Sequence, residues 1–470
     1  MTFSLNTLLP SYALFTLIGC DSKDKPDDSS VVGDTAESDV PVDTQDTGEP
    51  TDTDTDDDTG IPFDPAPSVG CEDSTFTTIA EALDYFPDTK TIELCDGTYY
   101  EHLCLKDRSL LLAARAGNDA VYIDGSGEDR MITMQYTDEM TEEEIILLSG
   151  LHLVNGYADG CNNPSALYIA GNTAAYPYSV QIDNTELSQN YSEQGGASWI
   201  TFSSLGGTAV LDQLTVAGNT NGGGEVPVYN SMTFQSLDRN VDTEVQLSHS
   251  LFENNYGSGL YLTDISNSQI DDLVMRDNVG KAIVLGDVGS AVLTNLDISG
   301  QELGAIWAYN MWRTEGTYLE IGNSRIHDNV LTFDEMYGNE NVTAGLTLNS
   351  YTEPMQVVIA DSEVVDNDST QNTGYGRNKA GAIVLIEADL TVRNSSVLRN
   401  VTSGSDYLAG GITYSEGAHV TVENSNFGTD ENENIPYDTA YFNAPGHWYY
   451  NFGDGVNFEC DGATHICTEW

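Results

Sequence analysis

The chain has 470 residues, 75 of them Asp or Glu and only 16 Lys or Arg, for a formal net charge of -59 at pH 7. Too few cations exist to build a phosphate-neutralising face, so nucleic acid is excluded as a partner. Apolar residues at 39%, with 44 Gly and 25 Tyr, point to a strand-and-turn protein able to bury a core.

The first twenty residues, MTFSLNTLLPSYALFTLIGC, carry an apolar run too short to span a bilayer. The run ends in Leu17-Ile18-Gly19-Cys20, which resembles the bacterial lipoprotein signal box, although no Lys or Arg precedes it. The resemblance implies that residues 1–19 are a signal peptide and that Cys20 is lipidated. The protein would then be exported and held by a lipid anchor in the cell envelope, at the outer membrane or cell surface. The six later cysteines include no CxxC pair and none has a His four residues away, which argues against zinc and thiol-redox motifs. In an oxidising compartment they are expected to form disulfides.

Residues 20–68 read as a disordered acidic tether. From 21 to 68 there are 16 acidic side chains and 2 lysines among Thr, Ser, Pro and Gly. Such a segment cannot bury enough apolar surface to offset its ordering entropy, and its like charges extend it. The Asp-Thr alternation lacks the turn Gly and bidentate Glu of a tight calcium site, so only weak Ca2+ condensation is expected and no metal or cofactor is assigned.

The folded body is expected over 69–435. Thr78 and Glu81 have capping-box spacing ahead of a short helix that Pro87 ends, and short strands separated by turn residues follow. Nine-residue copies then recur, among them IDNTELSQN from Ile182, LDQLTVAGN from Leu211, IDDLVMRDN from Ile270 and VENSNFGTD from Val422 to Asp430, with a weaker copy, LSGLHLVNG, from Leu148. Positions one and six are apolar; positions three and nine are mostly Asn or Asp. Between copies lies a third strand such as Ala166-Leu167-Tyr168-Ile169 or Ala305-Ile306-Trp307-Ala308. Three short strands per turn predict an all-β, right-handed parallel β-helix solenoid with an N-terminal capping helix. The Asn at positions three and nine are expected at left-handed turns, stacked into amide ladders that do no chemistry. The Tyr- and Trp-rich tail 436–470 is expected to cap the open end.

With its opening Thr78-Ile79-Ala80-Glu81-Ala82-Leu83 and first coil ending Gly97-Thr98-Tyr99, the chain resembles the pectin-lyase-like β-helix superfold over roughly 71–435. That superfold hosts lyases, hydrolases, adhesins and surface lipoproteins, so the resemblance implies a fold more than an activity. The Gly-His-Gly and Arg-Ile-Lys signatures of its hydrolases are absent, and Asp271-Asp272 falls at repeat positions two and three. Asp334, Glu335, Arg377 and Lys379, in two inserted loops, are the acids and bases that would overhang the third-strand sheet. No catalytic residue is assigned.

The stronger signal is aromatic. Strand alternation turns Tyr168, Tyr261, Trp307 and Tyr309 outward, with Trp199 and Tyr229 at comparable places. Flat rings beside carboxylates suit sugars, whose C-H faces stack while their hydroxyls bond. Polysaccharide binding or surface adhesion without catalysis is the favoured expectation, and a polysaccharide lyase or glycoside hydrolase the alternative. For the cysteines, Cys460 closes a short loop with Cys467, Cys71 with Cys95 pins the capping helix to the first coil, and Cys104 with Cys161 remain.

Overall fold

The computed structural model describes residues 67–470 apart from 87–90, 162–163, 222–229, 333–340, 371–377, 404–408, 416, 442–447, 453–454 and 465. The signal segment, Cys20 and the tether therefore lie outside the described residues. No helix among the described residues is long and apolar enough to cross a membrane.

The body is a right-handed parallel β-helix. One coil runs through Glu144–Ser149, His152–Val154 and Leu167–Ala170 before the chain returns in Tyr178–Asp183 to begin the next. Each strand pairs in parallel with its counterparts in the coils on either side, as Tyr178–Asp183 does with Glu144–Ser149 and Gly207–Asp212. First and second strands join in one 24-stranded sheet, and third strands stack into a 13-stranded one. Position-one residues stand in register along the rod: Ile182, Leu211, Leu247, Ile270, Leu293 and Ile321 are consecutive partners, each at most 2% exposed. Position six, from Leu187 through Val216, Phe252 and Met275, is likewise buried. Both columns point inward because side chains alternate along a strand, and stacking them removes their apolar area from water.

The two polar repeat positions have different jobs. Position three is left-handed throughout, from Asn184 at φ 43° to Asn424 at φ 46°, including His249 and Asp272. Position nine is not. The left-handed residue at that corner is position eight, as in Gln189, Asn254, Asp277, Asp328 and Arg399. Bending one residue earlier turns position nine into the core, where Asn190, Asn219, Asn255, Asn278, Asn329, Asn367 and Asn400 are at most 3% exposed. Asn255 shows the pattern: its backbone N–H and its side-chain amide both donate to Asn278 Oδ1, at 3.1 and 2.9 Å, and the amide also donates to the Val216 carbonyl at 2.9 Å. The Asn255 amide is thus satisfied by the coils on either side. Gln301 fills one rung with its longer side chain. The final rung corrects the alignment: Asp430 lies exposed in a single 3-10 turn, Asp430–Asn432, and Asn434 takes the buried place beside Asn400. A second, unforeseen ladder occupies position four, where Ser324, Ser362, Ser395 and Ser425 each accept a backbone N–H from the coil before.

Both ends of the rod are built differently. The helix Ile79–Tyr85 starts at Thr78, whose hydroxyl accepts from Glu81 N, and buries Ile79, Ala82 and Leu83. Only half of the expected capping box forms, since Glu81 reaches back to Thr77 instead of Thr78. Glu101 accepts from the free amides of Ile79 and Ala80, completing the cap from a distant segment. At the other end the pairing reverses: Trp448–Tyr450 runs antiparallel to Thr439–Tyr441, and Phe458–Asp461 antiparallel to His419–Glu423. Disulfides join Cys71 to Cys95 and Cys460 to Cys467. Cys104 is also disulfide-bonded, but the expected Cys104–Cys161 pairing lies outside the described residues because the Cys161 side chain does.

Candidate ligand-binding face

The outer face of the third-strand sheet carries the aromatic residues. Its leading column reads, coil by coil, Thr133, Tyr168, Trp199, Thr233, Tyr261, Val284, Trp307 and Thr347. The inward neighbours Leu167, Ile169, Leu260, Leu262 and Ile306 are at most 2% exposed, so the outward orientation follows the pleat. The aromatics do not make one continuous stripe. Tyr168 and Trp199 are neighbours, Thr233 interrupts, and a second group forms from Tyr261, Trp307 and Tyr309. Tyr229 lies outside the described residues.

These rings are half-buried, each with a specific neighbour. The Arg130 guanidinium sits 4.7 Å from the Tyr168 centroid, held by its own bond to the Pro164 carbonyl at 2.8 Å. The Lys281 ammonium lies 5.1 Å from the Trp307 ring, and Tyr309 packs against that indole at 4.9 Å. Burial pushes the Lys281 ammonium down to about 8, and no carboxylate pairs with it among the described residues. The Tyr261 and Tyr309 hydroxyls meet at 2.8 Å, and burial raises both phenols. These contacts hold the rings in fixed orientations, which lowers the entropy lost when a ligand settles on them.

Where the third strands end, a polar corner adjoins the second aromatic group. Asp264, Asp287 and Asn310 occupy the same place in successive coils, three residues past Tyr261, Val284 and Trp307. Both aspartates are left-handed. Asp287 is 4% exposed, and its Oδ1 accepts from the amides of Met311 at 2.9 Å and Trp312 at 2.7 Å. Burial pushes the Asp264 carboxyl up to about 6, opposed by Arg239, whose Nε stands 3.5 Å from its Oδ1. Arg313 donates through Nε to the Asp287 carbonyl and through Nη2 to the Ile265 carbonyl. Gly289 makes room for that guanidinium, since a β-carbon there would lie 2.8 Å from Nη1. Beside this corner opens a cleft of about 460 Å³, bordered by Arg239, Asn240 and Asp242 on one wall and Trp312, Arg313 and Glu315 on the other.

The catalytic alternatives find little here. Asp334, Glu335 and Arg377, and the Lys379 side chain, lie outside the described residues. Asp271 accepts from Thr294 and Asn295 on the first-strand sheet, and Asp272 is an exposed, left-handed residue beside it within the strand Asn267–Arg276. No group of three or more metal-ligating side chains occurs among the described residues. Sequence reasoning missed Arg239, Asp264, Asp287, Trp312 and Arg313. The readable signal was the end of two successive third strands, Gly-Leu-Tyr-Leu-Thr-Asp and Ala-Ile-Val-Leu-Gly-Asp, where an Asp follows the outward position by three.

The sequence matches no protein-family model and no curated protein. Similar solved structures include the pectin methylesterase from Aspergillus niger in penultimately deglycosylated form, at TM-score 0.27 and 14% identity over 71% of this chain and 85% of that one. The deglycosylated form of the same enzyme gives 0.24 and 13% over the same shares. PfbA, a surface adhesin of Streptococcus pneumoniae, gives 0.24 and 9% over 83% of this chain and 92% of that one.

Proposed function

We propose that the protein is an exported β-helix that binds polysaccharide at a cell surface without cleaving it, tethered through a lipid on Cys20. The observation carrying this reading is the second aromatic group, Tyr261, Trp307 and Tyr309, held half-exposed on one sheet face next to a polar corner. Rings immobilised by neighbours and flanked by hydrogen-bonding groups suit sugars. Export is supported by the disulfides Cys71–Cys95 and Cys460–Cys467, which persist in oxidising compartments. A non-cleaving role is supported by the state of the corner acids: Asp287 Oδ1 is committed to two backbone amides, so that carboxylate is not free to work with Asp264 as a general acid and base.

The test is retention on immobilised polysaccharides alongside an assay for reducing or unsaturated ends. Retention without product release, reduced at least tenfold by Trp307→Ala, is the expected result. Asp264 favours a second reading, glycan hydrolysis or lyase chemistry, because a carboxyl titrating near 6 beside Arg239 is suited to proton transfer. Product release abolished by Asp264→Asn would replace the first reading with that one. Metabolic labelling with a radiolabelled fatty acid tests the anchor, with incorporation into the native protein and none into Cys20→Ser expected.

A further inference from the structure

We infer that the cleft between residues 239–242 and 312–315 is the specificity pocket, and that it takes an uncharged sugar unit presenting neighbouring hydroxyls, stacked on Trp312. The inference rests on the polysaccharide-binding reading and goes further by naming the site and the class of sugar.

Trp312 is the first reason. Its side chain is 50% exposed, yet the backbone beneath it is pinned. Asp287 Oδ1 takes its amide, Asn310 Oδ1 takes the next amide, that of Arg313, at 3.0 Å, and Thr352 donates to the Arg313 carbonyl at 2.7 Å. An indole left in water on a fixed loop gains nothing for the fold, but offers a ring face whose position is already set. The opposite wall is fixed too: Asp238 Oδ1 accepts from both the backbone and side-chain nitrogens of Asn240, at 2.9 and 3.0 Å.

Charge is the second reason, and it separates neutral from acidic sugars. The two guanidiniums in the cleft are already answered. Arg239 faces Asp264, and Arg313 spends two of its five N–H groups on backbone carbonyls. The exposed acids Asp242 and Glu315 border the same cleft, with Asp264 and Asp287 behind it. Two cations among four carboxylates leave the corner net negative, on a chain already at -59. A uronate or sulfate would enter against that field, whereas a neutral sugar can donate hydroxyls to Asp242 and Glu315 and accept from the remaining guanidinium N–H groups. A volume of about 460 Å³ lies within the range of pockets that enclose small ligands.

The experiment measures retention of the full chain and of Trp312→Ala, Trp312→Phe and Trp307→Ala on two sets of immobilised polysaccharide. The neutral set is dextran, laminarin and galactomannan; the acidic set is polygalacturonate and dextran sulfate. Retention of the native chain on a neutral member, lowered at least tenfold by Trp312→Ala and largely kept by Trp312→Phe, is expected. The melting temperature of each variant checks that folding is intact. Retention on the acidic set alone overturns the inference and leaves polysaccharide binding standing. So does retention on a neutral glycan that Trp307→Ala abolishes and Trp312→Ala does not touch. Retention on neither set overturns both readings.

Discussion

Gly286 lies directly beneath the ring of Tyr309: a β-carbon built on it would stand 2.4 Å from the phenolic oxygen and 2.6 Å from Cζ. The tyrosine leans back across the coil that carries this glycine and reaches the hydroxyl of Tyr261, two coils away. Gly286→Ala is expected to push the ring outward, break that bond and cost about 1–3 kcal/mol, the usual range for overpacking. Because the backbone there is not left-handed, the loss is steric. A double substitution with Tyr309→Phe should cost less than the sum of the two single changes, read from urea midpoints.

The amide ladder sets a different scale. Asn278→Ala strands the backbone and side-chain amides of Asn255, the Phe252 carbonyl and the Gln301 Oε1 in a buried place. With each unsatisfied group costing about 1–3 kcal/mol before relaxation, a total of about 3–5 kcal/mol is expected. Asn295→Gly, at an exposed left-handed turn, should stay within about 1 kcal/mol. Equal effects in urea unfolding would show that the buried rungs reorganise or admit water.

How far the sequence reaches is visible in these same residues. Positions one and six of the repeat are legible because burial selects for nothing but apolar character, and the period of the strands carries it. The Asn of position nine are legible as a ladder but not as inward-facing, since amino-acid type does not distinguish a left-handed Asn254 from a buried Asn255. Asn434 was missed because four inserted residues broke the nine-residue frame. Trp312 and Arg313 sit in a connection with no repeat at all, so their approach to Arg239 and Asp264 depends on coil stacking that no local spacing encodes.

Asp264 gives the pH prediction. Burial holds its folded carboxyl near 6, above the ordinary carboxylate value of 3.8. The folded state therefore binds more protons than the unfolded chain between those values, and stability falls as pH rises from about 4 to about 6 and stays lower above it. Asp264→Asn removes that penalty. The variant should melt at or below the native chain at pH 4 and above it at pH 8; a difference independent of pH would mean the carboxyl is not the titrating group.

Salt supplies the last prediction. Beyond residue 68 the chain keeps 59 acidic and 14 basic residues, and stacking coils bring carboxylates of the outer faces close together. Self-repulsion of this kind opposes compact states and is screened over about 10 Å at 0.1 M. Melting temperature should rise with sodium chloride from low millimolar to molar levels, and with calcium chloride at far lower concentration. A temperature flat in both salts would mean the acids are already spaced and solvated.

Successive rungs of the ladder, from Asn190 to Asn434, lie 29, 36, 23, 23, 28, 38, 33 and 34 residues apart, yet each donates from its backbone or side-chain amide to the side-chain oxygen of the next. The ladder therefore works as a phase marker: wherever a coil wanders, its return to the core is indexed by one buried amide, and residues gained or lost between rungs never shift the frame of those that follow. Coil length becomes a free variable on the side where the third strands and the cleft lie. A scaffold of this kind can exchange the segments that meet the outside world one coil at a time, at no cost to the register of its interior.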